Sequence, residues 1–308
     1  MARTRLAPQG RVDRGMVGLR TFPGIHCVLY ALFDADERLD RAAMAAQVDY
    51  VRAQGTDGIT VLGLATEVGK LTFDERCDLI RWARADARDV PLSVTIAGNS
   101  VAEQQALVKV AEDVGADWLI LQPPITGTYS AAEYVDFFAR VGTATRLPFA
   151  IQNAPQYLGR SLSDDDIVAL RARCPGFTQI KSETGATDLH ALVARVGTDI
   201  AVLNGRGGLE MTDCLRAGVQ GFIVAPDVLP GVLRCWHAWQ VGDVAKAEAE
   251  YAAFLPAALF GMQSLEHLIC YGKRIFGERA GIAIHDRAPA LRTTEFGLSL
   301  ARNWAAKT

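Results

Sequence analysis

Lys181 closes an apolar run, Gly176-Phe177-Thr178-Gln179-Ile180-Lys181, and a polar stretch, Ser182-Glu183-Thr184-Gly185, follows at once. Six of the 32 basic residues are Lys and the rest are Arg, so a surface cation in this chain is nearly always a guanidinium. An amine at the end of an apolar strand has a chemical reason to be Lys: it can act as a neutral nucleophile on a carbonyl, which a guanidinium cannot do. The plain alternative is a lysine that snorkels to solvent from a strand end. Residues two apart on an extended strand share a face, so Glu183 addresses the same cavity as Lys181 and sets a carboxyl group beside the amine. For Glu183 the alternatives are an ion pair with Arg206 or a helix-capping role.

These groups need a frame that brings strand ends together. Short β-branched apolar runs alternate with helical patterns: Ile25 to Leu29, Gly58 to Leu62, Leu92 to Ala97, Trp118 to Leu121, Phe149 to Ile151, Phe177 to Ile180, Ile200 to Leu203 and Gly221 to Val224. About eight βα units result, the number that closes a parallel barrel, and no GxGxxG follows the first strand to favour an open doubly wound sheet. Several helices end in a Gly that leads directly into the next strand (Gly55, Gly115, Gly218), as a left-handed C-terminal stop requires. The expected architecture is an α/β (β/α)8 TIM barrel over 23–240, preceded by a mobile arm, 1–22, and followed by a helical layer, 241–308. In that layer Asp243 to Phe260, Ser264 to Phe276 and Thr293 to Ala306 read as helices, with an interruption at Pro256.

Half of the 308 residues are apolar, 22% are charged, and the net charge is −3. No basic footprint for nucleic acid exists, and no apolar stretch reaches the roughly 18 residues of a membrane span. Six cysteines without a CxxC pair and five histidines without HxxxH spacing suggest reduced thiols in a cytoplasmic protein and indicate no metal site. Gly63 to Leu71 imitates a phosphate loop, but five residues separate Gly63 from Gly69 and Leu71 stands at the Ser/Thr position.

In a barrel the reacting groups lie at the C-terminal strand ends and in the loops beyond them. Here those segments are Gly63-Leu64-Ala65-Thr66-Glu67 with Leu71-Thr72-Phe73-Asp74-Glu75-Arg76, then Gln152-Asn153-Ala154-Pro155, Lys181, Asn204-Gly205-Arg206-Gly207, and Ala225-Pro226-Asp227. Taken in order, they resemble the dihydrodipicolinate synthase and N-acetylneuraminate lyase family of Schiff-base-forming barrel enzymes. The resemblance rests on Gly63, Glu67, Leu71, Thr72, Glu75, Arg76, Asn153, Pro155, Lys181 and Gly185, and runs from about Gly24 through the helical tail. It implies an imine between Lys181 and a 2-oxo acid, no cofactor, and a homo-oligomer, tetramer or dimer. Substrate contacts are expected from Ala65, Thr66, Asn153 and Ile223; Asn204-Gly205-Arg206-Gly207-Gly208 reads either as backbone N–H groups and a cation, Arg206, for an acidic substrate or as a plain tight turn.

The departures are informative. Where the family's proton relay has hydroxyls, this chain has Gln152, Leu64 and Ile125, and where the synthases carry an Arg two residues beyond the Pro it has Tyr157. Condensation of pyruvate with aspartate semialdehyde is therefore not expected. The second hydroxyl position of the Gly63 loop is Ala65, with Thr66 as a substitute to hold the substrate carboxylate. Ile151, Gln152, Ala154, Pro155, Lys181, Glu183 and Thr184 are similar to the 2-keto-3-deoxy sugar acid dehydratases, above all those of L-2-keto-3-deoxyarabonate. Retro-aldol cleavage must remove the C4 hydroxyl proton, which an amide such as Gln152 cannot accept, whereas dehydration removes a C3 proton. Three readings follow: a dehydratase with Lys181, Glu183 and Gln152 as its catalytic set, a pyruvate-type aldolase, and a binding protein that keeps a 2-oxo acid pocket without turnover. Gln152 also reads as a buried amide bonding neighbouring loops.

Overall fold

The computed structural model describes residues 20–307; the expected arm at 1–22 lies outside the described residues up to position 19. Each apolar run forms a strand, because a parallel strand covered on both faces needs β-branched and aromatic residues throughout. The strands are β1 (Gly24–Val28), β2 (Gly58–Val61), β3 (Leu92–Ile96), β4 (Trp118–Leu121), β5 (Phe149–Asn153), β6 (Phe177–Ser182), β7 (Ala201–Asn204) and β8 (Gly221–Val224). They pair in sequence order, all parallel, and β8 returns to β1 to close the barrel expected from the alternation.

The outer ring consists of α1 (Arg41–Ala53), α2 (Phe73–Ala87), α3 (Val101–Asp113), α4 (Ala131–Gly142), a single turn α5 (Pro155–Leu158), α6 (Asp164–Arg173), α7 (Ala186–Val196), α8 (Met211–Arg216) and α9 (Leu229–Gln240). Gly55, Gly115 and Gly218 all take positive φ where the preceding helix stops. Ser and Thr set the helix starts: Ser100, Ser130 and Ser163 each accept from a first-turn N–H, and Thr72 forms a reciprocal capping box with Glu75.

The N-terminal end of the barrel is plugged. Phe22 stacks on Trp118 with ring centroids 5.7 Å apart, and its N–H donates to Gln179 Oε1 at 2.8 Å. Chemistry is left to the opposite end. The C-terminal layer comprises α10 (Val244–Gly261), which packs along α9, α11 (Leu265–His267), a π-helical turn Leu268–Gly272, α12 (Lys273–Ala280) and α13 (Glu295–Lys307), and its Met262, Leu265 and Leu268 reach that end. The interruption expected at Pro256 does not occur, and α10 runs through it. Buried Phe254, Ala257 and Ala258 hold that turn in place, so packing overrides the missing N–H. Among the described residues no single helix is long and apolar enough to cross a membrane.

Candidate functional site

Side chains alternate along β6, and Gln179, Lys181 and Glu183 follow one another on its inner face, with Glu183 one residue beyond the strand. The Glu183 N–H donates to Asn153 O at 2.9 Å, which carries the pairing with β5 one step past the strand's end. Lys181 Nζ and Glu183 Oε1 stand 2.7 Å apart, with only 9% and 3% of the two side chains exposed. The chain's candidate nucleophile is thus held against a buried carboxylate. The expected alternative, Glu183 with Arg206, is not the pair that forms, because Arg206 closes on Glu210 at 2.5 Å.

A second contact fixes the carboxylate. Gln152 lies beside Lys181 in the β5–β6 register, and its Nε2 donates to the same Glu183 Oε1 at 2.6 Å. Gln152 Oε1 in turn accepts from Gln122 Nε2 at 2.9 Å, so two buried amides form a one-way chain that ends on Glu183. An amide donates and accepts but does not take up a proton, so the chain orients the carboxylate without relaying protons. Across from it, Gly205 must lack a side chain: a Cβ there would sit 2.5 Å from Lys181 Cε.

Lys181 and Glu183 border a cavity of about 50 Å³ whose other walls are mostly apolar, including Val28, Leu64, Ala65, Ile223 and Leu268. Its remaining ionisable lining groups are Tyr157 and Asp227. Residues from the C-terminal layer, Met262 and Leu265 among them, complete the wall and shield the amine from bulk water. Leu64 and Leu265 also border a larger neighbouring cavity of about 350 Å³, reached by Gln122 and Ile125.

Five of the residues expected at the site separate into two groups. Ala65 and Ile223 line the Lys181 cavity. Thr66, Asn153 and Arg206 are not among its lining residues. The Thr66 hydroxyl is fully buried and donates to Leu29 O at 2.5 Å. Asn153 clasps Leu162, donating to its carbonyl at 3.0 Å and accepting from its N–H at 2.9 Å. Arg206 pairs with Glu210 and acts on the Tyr157 phenol electrostatically.

Asp227, named only within the segment after β8, proves to be a wall group, and two participants were not named from the sequence: Gln122, and Tyr30, whose hydroxyl donates to Asp227 Oδ1 at 2.9 Å. Gln122 follows β4 directly, and its place at a C-terminal strand end is the signal that marks it. Asp227 is buried, and burial pushes its carboxyl up from the ordinary range while the Tyr30 hydroxyl and Arg279 hold it down. Among the described residues no group of three or more His, Cys, Asp or Glu side chains is placed to hold a metal ion.

Comparison with known proteins agrees with this frame. A sequence model of the dihydrodipicolinate synthetase family matches residues 21–260. The 4-hydroxy-tetrahydrodipicolinate synthase of Azoarcus sp. is 30% identical over 241 residues, 76% of this chain and 79% of that protein. Its counterpart from Thiobacillus denitrificans is 29% identical over 245 residues, 78% and 82% of the two chains. Among solved structures, YagE from E. coli K12, a prophage protein of the dihydrodipicolinic acid synthase family crystallised with pyruvate, superposes with a TM-score of 0.86 at 24% identity, covering 92% of this chain and 97% of its own. A Ruminococcus gnavus sialic acid aldolase with its catalytic lysine mutated superposes at 0.85 with 17% identity, covering 93% and 95%. At those identities the two superpositions speak for the fold.

Proposed function

The chain belongs to the dihydrodipicolinate synthetase family, and from that premise we propose that it is a Schiff-base lyase that dehydrates a 2-keto-3-deoxy sugar acid. The observation that carries this reading is Glu183 Oε1, held 2.7 Å from the Lys181 amine and 2.6 Å from the Gln152 amide in one buried cluster. Lys181 condenses with the C2 ketone and releases water, and the imine makes the C3 hydrogens acidic. Glu183 takes a C3 proton, the electron pair moves into the C3–C4 bond, and the C4 hydroxyl departs. Tautomerisation and hydrolysis then free the amine and a semialdehyde. No redox partner is needed for this sequence of bonds.

The leaving step sets dehydration apart from aldol chemistry. Cleavage of C3–C4 requires a base on the C4 hydroxyl, and the strand position that faces such a hydroxyl carries Gln152, an amide. The names of the relatives favour a second reading, synthase activity. The chain's own residues speak against it, because Gln152, Leu64 and Ile125 offer no hydroxyl relay and Tyr157 stands where a cation is expected.

The test is product identity. Given a 2-keto-3-deoxypentonate, the protein should yield 2-oxoglutarate semialdehyde. Glycolaldehyde with pyruvate would make it an aldolase, and condensation of pyruvate with aspartate semialdehyde would make it a synthase.

A further inference from the structure

Dehydration needs a second proton. The C4 oxygen leaves readily only as water, and Glu183 is occupied at C3, so a separate acid must face the departing oxygen. One phenol borders the cavity. After β5 the chain runs through Ala154 into Pro155, which starts the single turn α5 at N1, and Gly159 ends it with φ 65°. That turn carries Tyr157 to the cavity wall shared by Lys181 and Glu183.

The surroundings of Tyr157 suit a proton donor. The Arg206 guanidinium and the Glu183 carboxyl both lie within electrostatic reach of its phenol. A neighbouring cation leaves the phenol O–H free to donate and stabilises the phenolate that remains. Arg206 is itself anchored by Glu210 at 2.5 Å, and its Nε is buried without a hydrogen-bond partner among the described residues.

Resting on the dehydratase reading above, we propose that Tyr157 is the catalytic acid that protonates the departing C4 hydroxyl, with Arg206 as its positioning residue. The step balances: the C3 hydrogen goes to Glu183, the C–H electron pair becomes the C3–C4 double bond, the C4–O bond breaks, and the phenol proton leaves on that oxygen as water. The phenolate is held beside Arg206 until solvent returns a proton, while Glu183 releases its own to solvent. Burial pushes the Tyr157 phenol up from its ordinary value, Glu183 adds to the push and Arg206 opposes it, so the group enters the step protonated.

The experiment compares Tyr157→Phe with the unaltered protein in two assays. Semialdehyde formation from a 2-keto-3-deoxypentonate reads the whole reaction. Exchange of the C3 hydrogens of 2-oxobutyrate for deuterium, followed by NMR in D2O, reads only the Lys181 and Glu183 half, because that ligand has no C4 hydroxyl. Tyr157→Phe should exchange at the unaltered rate while semialdehyde formation falls roughly 10²- to 10⁴-fold; Glu183→Gln should lose both. Tyr157→Phe that forms semialdehyde at the original rate, or that loses exchange together with it, overturns the assignment alone. An unaltered protein that forms no semialdehyde overturns the dehydratase reading and this acid with it.

Discussion

Thr66 and Ala65 divide between them what one hydroxyl-bearing residue would do. Ala65 borders the cavity but has no hydroxyl, whereas Thr66 has the hydroxyl and spends it on the Leu29 carbonyl in the interior. Thr66 is thus a tie between the β2 loop and the segment after β1, and substrate capture should not depend on it. Thr66→Val should lower the free energy of unfolding in urea by about 1 to 3 kcal/mol, the cost of stranding a buried carbonyl. The 2-oxo acid concentration that half-saturates borohydride trapping should stay the same. Undiminished stability with much weaker trapping would return the carboxylate-holding role to Thr66. The sequence could not separate the two uses, because Leu64–Thr66 is a single 3-10 turn, in which one step swings a side chain by about a third of a turn, and so short an element leaves no pattern to read.

Among the elements, the C-terminal layer is fastened to the β2 loop by a buried ionic cluster. Glu67, in the left-handed conformation at φ 55°, pairs with Lys273 of α12 and, at 2.6 Å, with Lys70. Lys273 is fully buried, and that burial pushes its ammonium down from the ordinary value while Glu67 holds it up. Removing one partner leaves a charge in a place that water cannot reach. Lys273→Met should cost about 3 to 5 kcal/mol in urea unfolding, and Glu67→Gln added to it should recover a large part of the loss. A Lys273→Met protein as stable as the original would mean that Lys70 alone neutralises Glu67.

The same elements show what could be read from the sequence and what could not. The eight strands were legible because each is a short apolar run bounded by turn residues. The motif Leu71 to Arg76 was legible too, yet its role is structural: Thr72 and Glu75 cap α2, Arg76 bonds Leu71 O and Ala97 O, and Glu75 also pairs with Arg287 of the C-terminal layer. Lys181 and Glu183 stood out by their spacing along one strand, which is a local property. Gln122 and Tyr30 did not, because their partners lie 30 and 197 residues away and only barrel closure brings them together. Pro256 misled for the converse reason, since the packing that carries α10 through it is tertiary.

Across the whole molecule, the barrel's plugged end carries a pH-sensitive group. At the plugged end His26 is buried against Trp118, one ring nitrogen donating to Phe22 O at 3.0 Å and Nδ1 without a partner among the described residues. Burial pushes its pKa down from 6.5 to about 4, with Phe22 and Asp57 opposing. Between those values the unfolded chain binds a proton that the folded chain refuses, so stability is full above pH 6.5 and falls as pH drops toward 4. The loss attributable to this ring is about 3 kcal/mol. Urea unfolding of the protein and of His26→Gln across that window should give a difference that shrinks as pH falls. A constant difference would show that the ring takes up its proton in the folded state. At the open end everything depends on one amine. Treating the protein with a 2-oxo acid and borohydride, then mapping peptides by mass, should find the reduced ligand on Lys181 and none in Lys181→Ala; no adduct at Lys181, or the same adduct in the variant, would contradict the imine on which every step proposed here depends.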